Sequence, residues 1–155
     1  MTASYGKRVV LLRGGDRTIQ NETGVAGGTI KPGYLVDGVS TVAAHASAGA
    51  ACPRTIALER DELGRGIDTT YQTDPSNNVS DYAVGDVVKV AACHHGVQFT
   101  GWIASGQNIA ENDRMESAGD GTFKKNSSGV ILARSLETLD ARNLVGPVKI
   151  KLEVM

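Results

Sequence analysis

The chain has 155 residues, a formal net charge of −1 from 16 basic and 17 acidic side chains, and only 5% aromatic residues. This length suits one domain that buries about two thirds of its unfolded surface. Nucleic-acid binding is disfavoured because no basic cluster is longer than Lys124-Lys125. A membrane span is not expected because no run of about 18 apolar residues is present.

The N-terminal segment reads MTASYGKRVVLLRGG, in which the apolar run before Arg13 is only four residues long. This is not the pattern of a signal peptide, so we expect the protein to be made and kept in the cytosol. Residues 1–6 are predicted to form a flexible arm. Residues 7–13 are predicted to form a strand that is covered on both faces or becomes covered on assembly. The glycine-rich residues 13–28 are predicted to be a surface loop or arm.

Further along the chain, short apolar runs bounded by Gly, Asn, Asp and Pro are typical of an all-β domain with many turns. They predict strands at residues 39–44 and 54–59, and a hairpin of residues 86–92 with 97–103 around His94-His95-Gly96. Residues 43–53 and 72–80 are predicted loops. The leucines at 132, 136 and 139 have helical spacing and leave that segment ambiguous. The final strand is the clearest, because Val148, Ile150, Leu152 and Val154 alternate with charged residues.

A weak internal repeat relates GGTIKPGYLV at residues 27–36 to GQNIAENDRM at residues 106–115. Gly33 and Asn112 then occupy equivalent places, and Gly85 occupies the same place in a looser third copy. Gly and Asn tolerate positive φ, so each copy is predicted to be an apolar anchor, a tight turn and a strand. Both duplication and convergent turn chemistry can produce this pattern.

Residues that could carry chemistry are few. His94 and His95 suggest a metal site, but adjacent strand residues point to opposite faces and no second Cys/His cluster completes a ligand set. We therefore interpret them as a polar loop tip that contacts a neighbouring protein. Cys52 and Cys93 are predicted to be reduced, buried thiols, and a disulfide would require the fold to bring them together.

The acidic residues Asp113, Glu116 and Asp120 do not have the spacing of a calcium loop, and they are predicted to form a solvated rim. The sequence SAGDG, residues 117–121, lacks the context of a phosphate loop and predicts a turn with Gly119 and Gly121 at positive φ. No local signature of a catalytic triad is present. We therefore expect a protein that is not an enzyme and that has no cofactor and no bound metal.

The order of several motifs carries a resemblance. YAVGDVVKV (82–90), GWIASGQNIA (101–110), SAGDGTFKK (117–125) and the terminal strand follow one another, after GGTIKPGYLV and TIALERDELGRGID in the first half. This chain resembles the capsid decoration, or structural cement, proteins of tailed bacteriophages. One departure is Glu111-Asn112-Asp113, where a Gly-Asp turn is expected and Asn112 can replace the glycine.

The resemblance implies a single compact domain over residues 7–155, mainly β and like a β-barrel or β-tulip, with little helix. It also implies a homotrimer at local threefold sites on the outer surface of an expanded phage head. The partner would be the major capsid protein, with no nucleic acid and no membrane involved. The role of the protein would be similar to that of the decoration protein of phage lambda.

Residues for the interface with the capsid or a second subunit follow from this expectation. An arm including Thr2, Ala3, Ser4, Tyr5 and Lys7 could add a strand to a capsid sheet edge. Tyr71 is a candidate aromatic anchor, and His94 and His95 are candidate contacts. Trp102 could be a second aromatic anchor, but as the single Trp of the domain it is predicted to pack in the core.

An alternative function is a small β-barrel module that binds a ligand or a sugar. It would need a cluster of exposed aromatic residues, and the sequence has few to offer. A lipoyl or biotinyl carrier is disfavoured because no lysine lies between Lys31 and Lys89.

Overall fold

The computed structural model of the protein describes residues 10–59 and 81–155. Regular structure in these ranges consists of thirteen strands, numbered β1 to β13 along the chain, and one short 3-10 helix, Gly15–Arg17. The prediction of a mainly β domain with barrel character, many turns and little helix is therefore confirmed. The predictions for the N-terminal arm, for residues 72–80 and for Tyr71 lie outside the described residues.

Five strands form a closed barrel. They are β2 (Thr18–Ala26), β3 (Leu35–Asp37), β4 (Thr41–Ala44), β5 (Thr55–Ala57) and β6 (Val87–Cys93). Their order around the barrel is β2-β4-β3-β5-β6, with β6 pairing back to β2. Of the neighbouring pairs in this barrel, β2 with β4 is parallel and the others are antiparallel. The core cluster of the barrel contains the larger Tyr82 together with small and medium apolar side chains, including Val36, Val42, Ala57 and Val88.

A second sheet contains six strands. They are β1 (Leu11–Arg13), β7 (Gln98–Ile103), β9 (Arg114–Ser117), β10 (Phe123–Lys125), β11 (Ala133–Ser135) and β13 (Val148–Val154). Strand β13 pairs with β7 along six consecutive positions, from Val148 opposite Ile103 to Glu153 opposite Gln98. Since β7, β10, β9, β11 and β13 also pair in that sequence, this sheet closes on itself. Strands β8 (Asn108–Ile109) and β12 (Leu139–Asp140) form a separate ribbon.

The two sheets share a core, because strands β3 and β5 of the barrel carry buried side chains on both faces. In β3, Val36 points into the barrel, whereas Leu35 packs against the core of the second sheet. That core includes Phe99 and Phe123, whose ring centroids are 5.7 Å apart, and Leu152 from β13. The alternation predicted for the final strand is confirmed, since its four aliphatic residues are buried.

Two predictions about the strands are wrong. Strands β6 and β7 lie where predicted, but they do not form a hairpin. Both edges of β6 are already paired, with β2 and with β5, so β7 pairs in the other sheet. Residues 18–26 are a strand, not a loop or arm. Its polar, largely exposed sequence gives no alternating signal, and its backbone hydrogen bonds to β6 hold it in place.

The internal repeat corresponds to three similar turns. The fourth residue of each turn donates its backbone N–H to the carbonyl of the first: Tyr34 to Lys31, Asp86 to Ala83 and Asp113 to Ala110. The third residues, Gly33, Gly85 and Asn112, have φ of 96°, 89° and 71°. Each turn follows a fully buried anchor, Ile30, Tyr82 or Ile109, and leads to a strand. The predicted anchor, turn and strand are therefore confirmed.

Replacing Tyr82 by phenylalanine is expected to destabilise the fold by about 1 kcal/mol. The Tyr82 hydroxyl is buried and donates a 2.8 Å hydrogen bond to the carbonyl of Leu58, which would lose its partner. Chemical denaturation of the wild type and Y82F measures the difference. Equal midpoints and slopes would show that this hydrogen bond makes no net contribution.

Candidate functional site

The predicted contact residues His94 and His95 lie at the corner where the chain passes from the barrel to the second sheet. Both side chains are exposed. The turn is held by two backbone hydrogen bonds of 3.2 Å, from His94 N–H to the Arg17 carbonyl and from Val97 N–H to the His94 carbonyl. Gly96 permits the turn because its φ is 91°. The corner is thus the polar tip that the sequence predicts.

A cleft of about 400 Å³ opens beside this corner. Its walls come from three separate parts of the chain: the region around the 3-10 helix, the start of β7 and the end of β13. The lining residues are Arg13, Gly14, Asp16, Arg17, Gly96, Gln98 and Glu153. We refer to them as the Arg13–Arg17 cleft.

Acidic and basic charges do not balance in the Arg13–Arg17 cleft. The Glu153 carboxylate is bound by Arg134, with its Oε1 2.9 Å from Arg134 Nη2, and it accepts a 3.3 Å hydrogen bond from Gln98. Its charge is therefore compensated. Arg13 and Arg17 are exposed, and in residues 10–59 and 81–155 neither guanidinium forms an ion pair. With Asp16 as the remaining acid, the cleft carries an excess of positive charge.

Trp102 is not a core residue, contrary to the prediction. It is half-buried on β7, where its indole N–H donates a 2.8 Å hydrogen bond to the Pro32 carbonyl. The ammonium group of Lys149, its cross-strand partner, lies 4.9 Å from the ring centroid, and that of Lys31 lies 5.8 Å away. The indole connects the barrel to the second sheet and stacks against two cations.

Glu116 is buried, not part of a solvated rim as predicted. Its Oε2 accepts hydrogen bonds from the backbone N–H groups of Gly129 (2.7 Å) and Ser127 (3.1 Å) and from the Asn126 amide (2.7 Å). The Lys124 ammonium lies 3.3 Å from Oε1. Burial raises the pKa of Glu116, but the backbone hydrogen bonds and Lys124 outweigh it and bring the pKa down to about 2. The side chain is a structural anchor for residues 126–129.

The other two acids of that predicted rim are engaged separately. Asp113 pairs with Lys125 at 2.8 Å and accepts a hydrogen bond from Ala110 N–H, and both interactions lower its pKa. Asp120 accepts hydrogen bonds from the Thr122 N–H and hydroxyl groups within its own turn. Gly119 and Gly121 have positive φ, as predicted. The described residues include no group of three or more His, Cys, Asp or Glu side chains that could hold a metal.

His45 and Ser117 form a buried polar pair that has no signature in the sequence. His45 Nδ1 and Ser117 Oγ are hydrogen-bonded at 2.7 Å, and the Gly119 N–H donates to the same hydroxyl. A nucleophilic serine must reach its substrate, whereas Ser117 is 0% and His45 4% exposed. The pair therefore fixes the chain after β4 against β9. No sequence motif marks it, because its members are 72 positions apart.

The two cysteines are free thiols. Cys93 is buried, and burial raises its pKa to about 12. Cys52 is only half-buried, so the prediction of two buried thiols holds for Cys93 alone. Burial, aided by Asp37 and opposed by Arg54, raises the Cys52 pKa. Neither environment favours a reactive thiolate.

Exposed apolar side chains occur on the outside of the barrel. Val25 and Val87 are opposite each other on β2 and β6, and Val84 lies in the turn that precedes β6. Val39, 80% exposed, lies in the connection between β3 and β4, next to Gly24.

Within the described ranges, no helix is long and apolar enough to cross a membrane.

The chain matches no protein-family model and none of the curated protein sequences. It is similar in fold to a solved structure, the crystal structure of the head fiber gp8.5 N base of bacteriophage phi29. The match has a TM-score of 0.56 and covers 89% of this chain and 94% of the phi29 chain, at 12% sequence identity. The architecture of two connected β sheets is therefore shared with a protein of a phage head.

Proposed function

We propose that this protein is a structural component of a bacteriophage head, specifically a decoration or cement protein without catalytic activity. The observation that carries the proposal is the fold likeness to the phi29 head fiber base, which spans nearly the whole of both chains. It agrees with the order of motifs that resembles the phage cement proteins. The partner is the major capsid protein, and the location is the outer surface of the expanded head.

The proposed assembly is a homotrimer at the local threefold positions of the shell. A trimer that engages three capsid subunits gains from a high effective concentration after the first contact. Each subunit then needs only a modest contact surface. The exposed corner of His94 and His95 is the proposed contact within the described residues.

Stabilisation of the head would follow from linkage. A protein that binds the expanded shell but not its compact precursor lowers the free energy of the expanded state alone. At a free concentration one hundred times Kd, the gain is about 2.7 kcal/mol per site. Because the gain recurs at every site, a weak individual contact is sufficient for a stable shell.

Sedimentation tests the proposal. The purified protein alone is expected to sediment as a trimer, and it is expected to co-sediment with undecorated expanded heads of its own phage at a saturable stoichiometry. Unexpanded heads serve as the control, and we expect little binding to them because the site is assembled only at the final subunit spacing.

Binding to neither form would contradict a role on the head. Equal binding to both forms would retain the head as partner but reject stabilisation of the expanded state. A monomer that still binds expanded heads would reject the preassembled trimer alone.

A further inference from the structure

We propose that the Arg13–Arg17 cleft receives an acidic side chain from a segment of the capsid protein. This inference rests on the proposed function and identifies the chemistry of one contact within it. The ligand class is a carboxylate carried by a protein chain. The cleft lies next to the exposed His94 and His95, so both features would face the same partner.

The first argument is charge. The guanidinium groups of Arg13 and Arg17 line one concave surface, and neither forms an ion pair in the part of the chain that the structure describes. The opposing Glu153 is already bound by Arg134. Among the described residues, Asp16 is therefore the one uncompensated acid in a cleft with two arginines. An incoming carboxylate would neutralise the remaining positive charge.

The second argument is shape. Gly14 and Gly96 permit the two turns that line the cleft, because glycine readily adopts positive φ. A methyl group at Gly14 would lie 3.4 Å from Val97 Cα, so this turn packs directly against the chain that leads into β7. A methyl group at Gly96 would lie 3.6 Å from Arg17 Nη1, so this guanidinium lies directly over the turn. The volume of about 400 Å³ can accommodate an extended acidic side chain together with its backbone.

The third argument is the choice of cation. A guanidinium presents paired N–H donors in a planar fork that matches both oxygens of a carboxylate. Gln98, whose amide already contacts Glu153, adds a polar wall at the start of β7. The cleft is thus suited to recognising a planar anion by the geometry of its hydrogen bonds as well as by its charge.

The test compares binding of three proteins to undecorated expanded heads: the wild type, R13Q/R17Q and the control R114Q/K151Q. The control also removes two positive charges, from exposed positions that do not line the cleft and whose side chains form no ion pair among the described residues. We expect R13Q/R17Q to bind about tenfold more weakly per subunit, which corresponds to about 1.4 kcal/mol. The control is expected to bind like the wild type. Thermal unfolding of R13Q/R17Q is expected to match that of the wild type.

The outcomes separate the inference from the proposed function. If the wild type binds no heads, the proposed function fails. If the wild type and R13Q/R17Q bind equally, only the inference fails. A large loss of thermal stability in R13Q/R17Q would show that the two arginines stabilise the fold, and this result would also overturn the inference. Selective displacement of the wild type by inorganic phosphate, but not by a glutamate-rich peptide at matched ionic strength, would overturn the assignment of a protein carboxylate.

Discussion

Replacing Glu116 by glutamine is expected to lower the free energy of unfolding at neutral pH by about 3 kcal/mol. The Glu116 carboxylate is 2% exposed and accepts hydrogen bonds from the residues that follow β10 while contacting Lys124. Glutamine has a similar shape but lacks the charge, and its NH₂ group would face donors. The 126–129 loop would then lose its acceptor and pack less well against Gly49, whose backbone it contacts.

The effect should depend on pH in a defined direction. The pKa of Glu116 is about 2 in the folded protein, below its ordinary value of 4.5. A lowered pKa means that the stabilisation is complete above the unfolded pKa and is lost as the pH falls toward the folded one. The difference between the wild type and E116Q is therefore expected to be constant near neutrality and to shrink between pH 4.5 and about pH 2.

Urea denaturation at a series of pH values measures this difference. Asp140→Asn is a matched control, because Arg142 also lowers the Asp140 pKa to about 2. The Asp140 and Arg142 side chains are 49% and 61% exposed, so solvent screens their pair and D140N should have little effect. If E116Q were as stable as the wild type at pH 7, the buried carboxylate would not be the anchor of this loop.

Features that depend on local sequence could be predicted. The alternation of β13 follows from the two-residue period of a strand. The turns at Gly33, Gly85 and Asn112 follow from the tolerance of these residues for positive φ. Both signals are contained within a few adjacent residues, and no tertiary contact overrides them.

Strand pairing could not be predicted in the same way. Both edges of β6 are paired within the barrel, one of them with β2, which lies more than sixty positions earlier in the sequence, so β7 pairs in the other sheet. Glu116 illustrates the same limit for burial. On an open sheet its side chain would face water, but the 126–129 loop and Gly49 cover that face of β9.

The Arg13–Arg17 cleft could not be read from the sequence, because its walls come from residues 13–17, 96–98 and 153. Only the exposed tip at His94 and His95 had a local signal. The motif order that resembles the cement proteins was informative for a different reason. It reports the succession of turns and strands, which is the property that the fold likeness to the phi29 protein also reflects.

Replacing Gly33 by alanine is expected to destabilise the protein by about 3 kcal/mol. Its φ of 96° is unfavourable for a residue with a side chain. A methyl group there would also lie 2.8 Å from the Thr100 carbonyl oxygen and 3.3 Å from Trp102 Cδ1. Because the Thr100 carbonyl belongs to the backbone of β7, the Gly33 turn and the second sheet would have to move apart.

Gly85→Ala separates the cost of the positive φ from the cost of steric overlap with β7. Gly85 occupies the equivalent position in a similar turn, with φ of 89°, but a methyl group there would meet nothing within 4 Å. G85A should therefore lose only the conformational contribution of about 1 kcal/mol. Chemical denaturation of both variants, with Trp102 fluorescence as the probe, measures the difference. If G33A and G85A lost the same stability, the contact between the Gly33 turn and β7 would not be close enough to couple the two sheets.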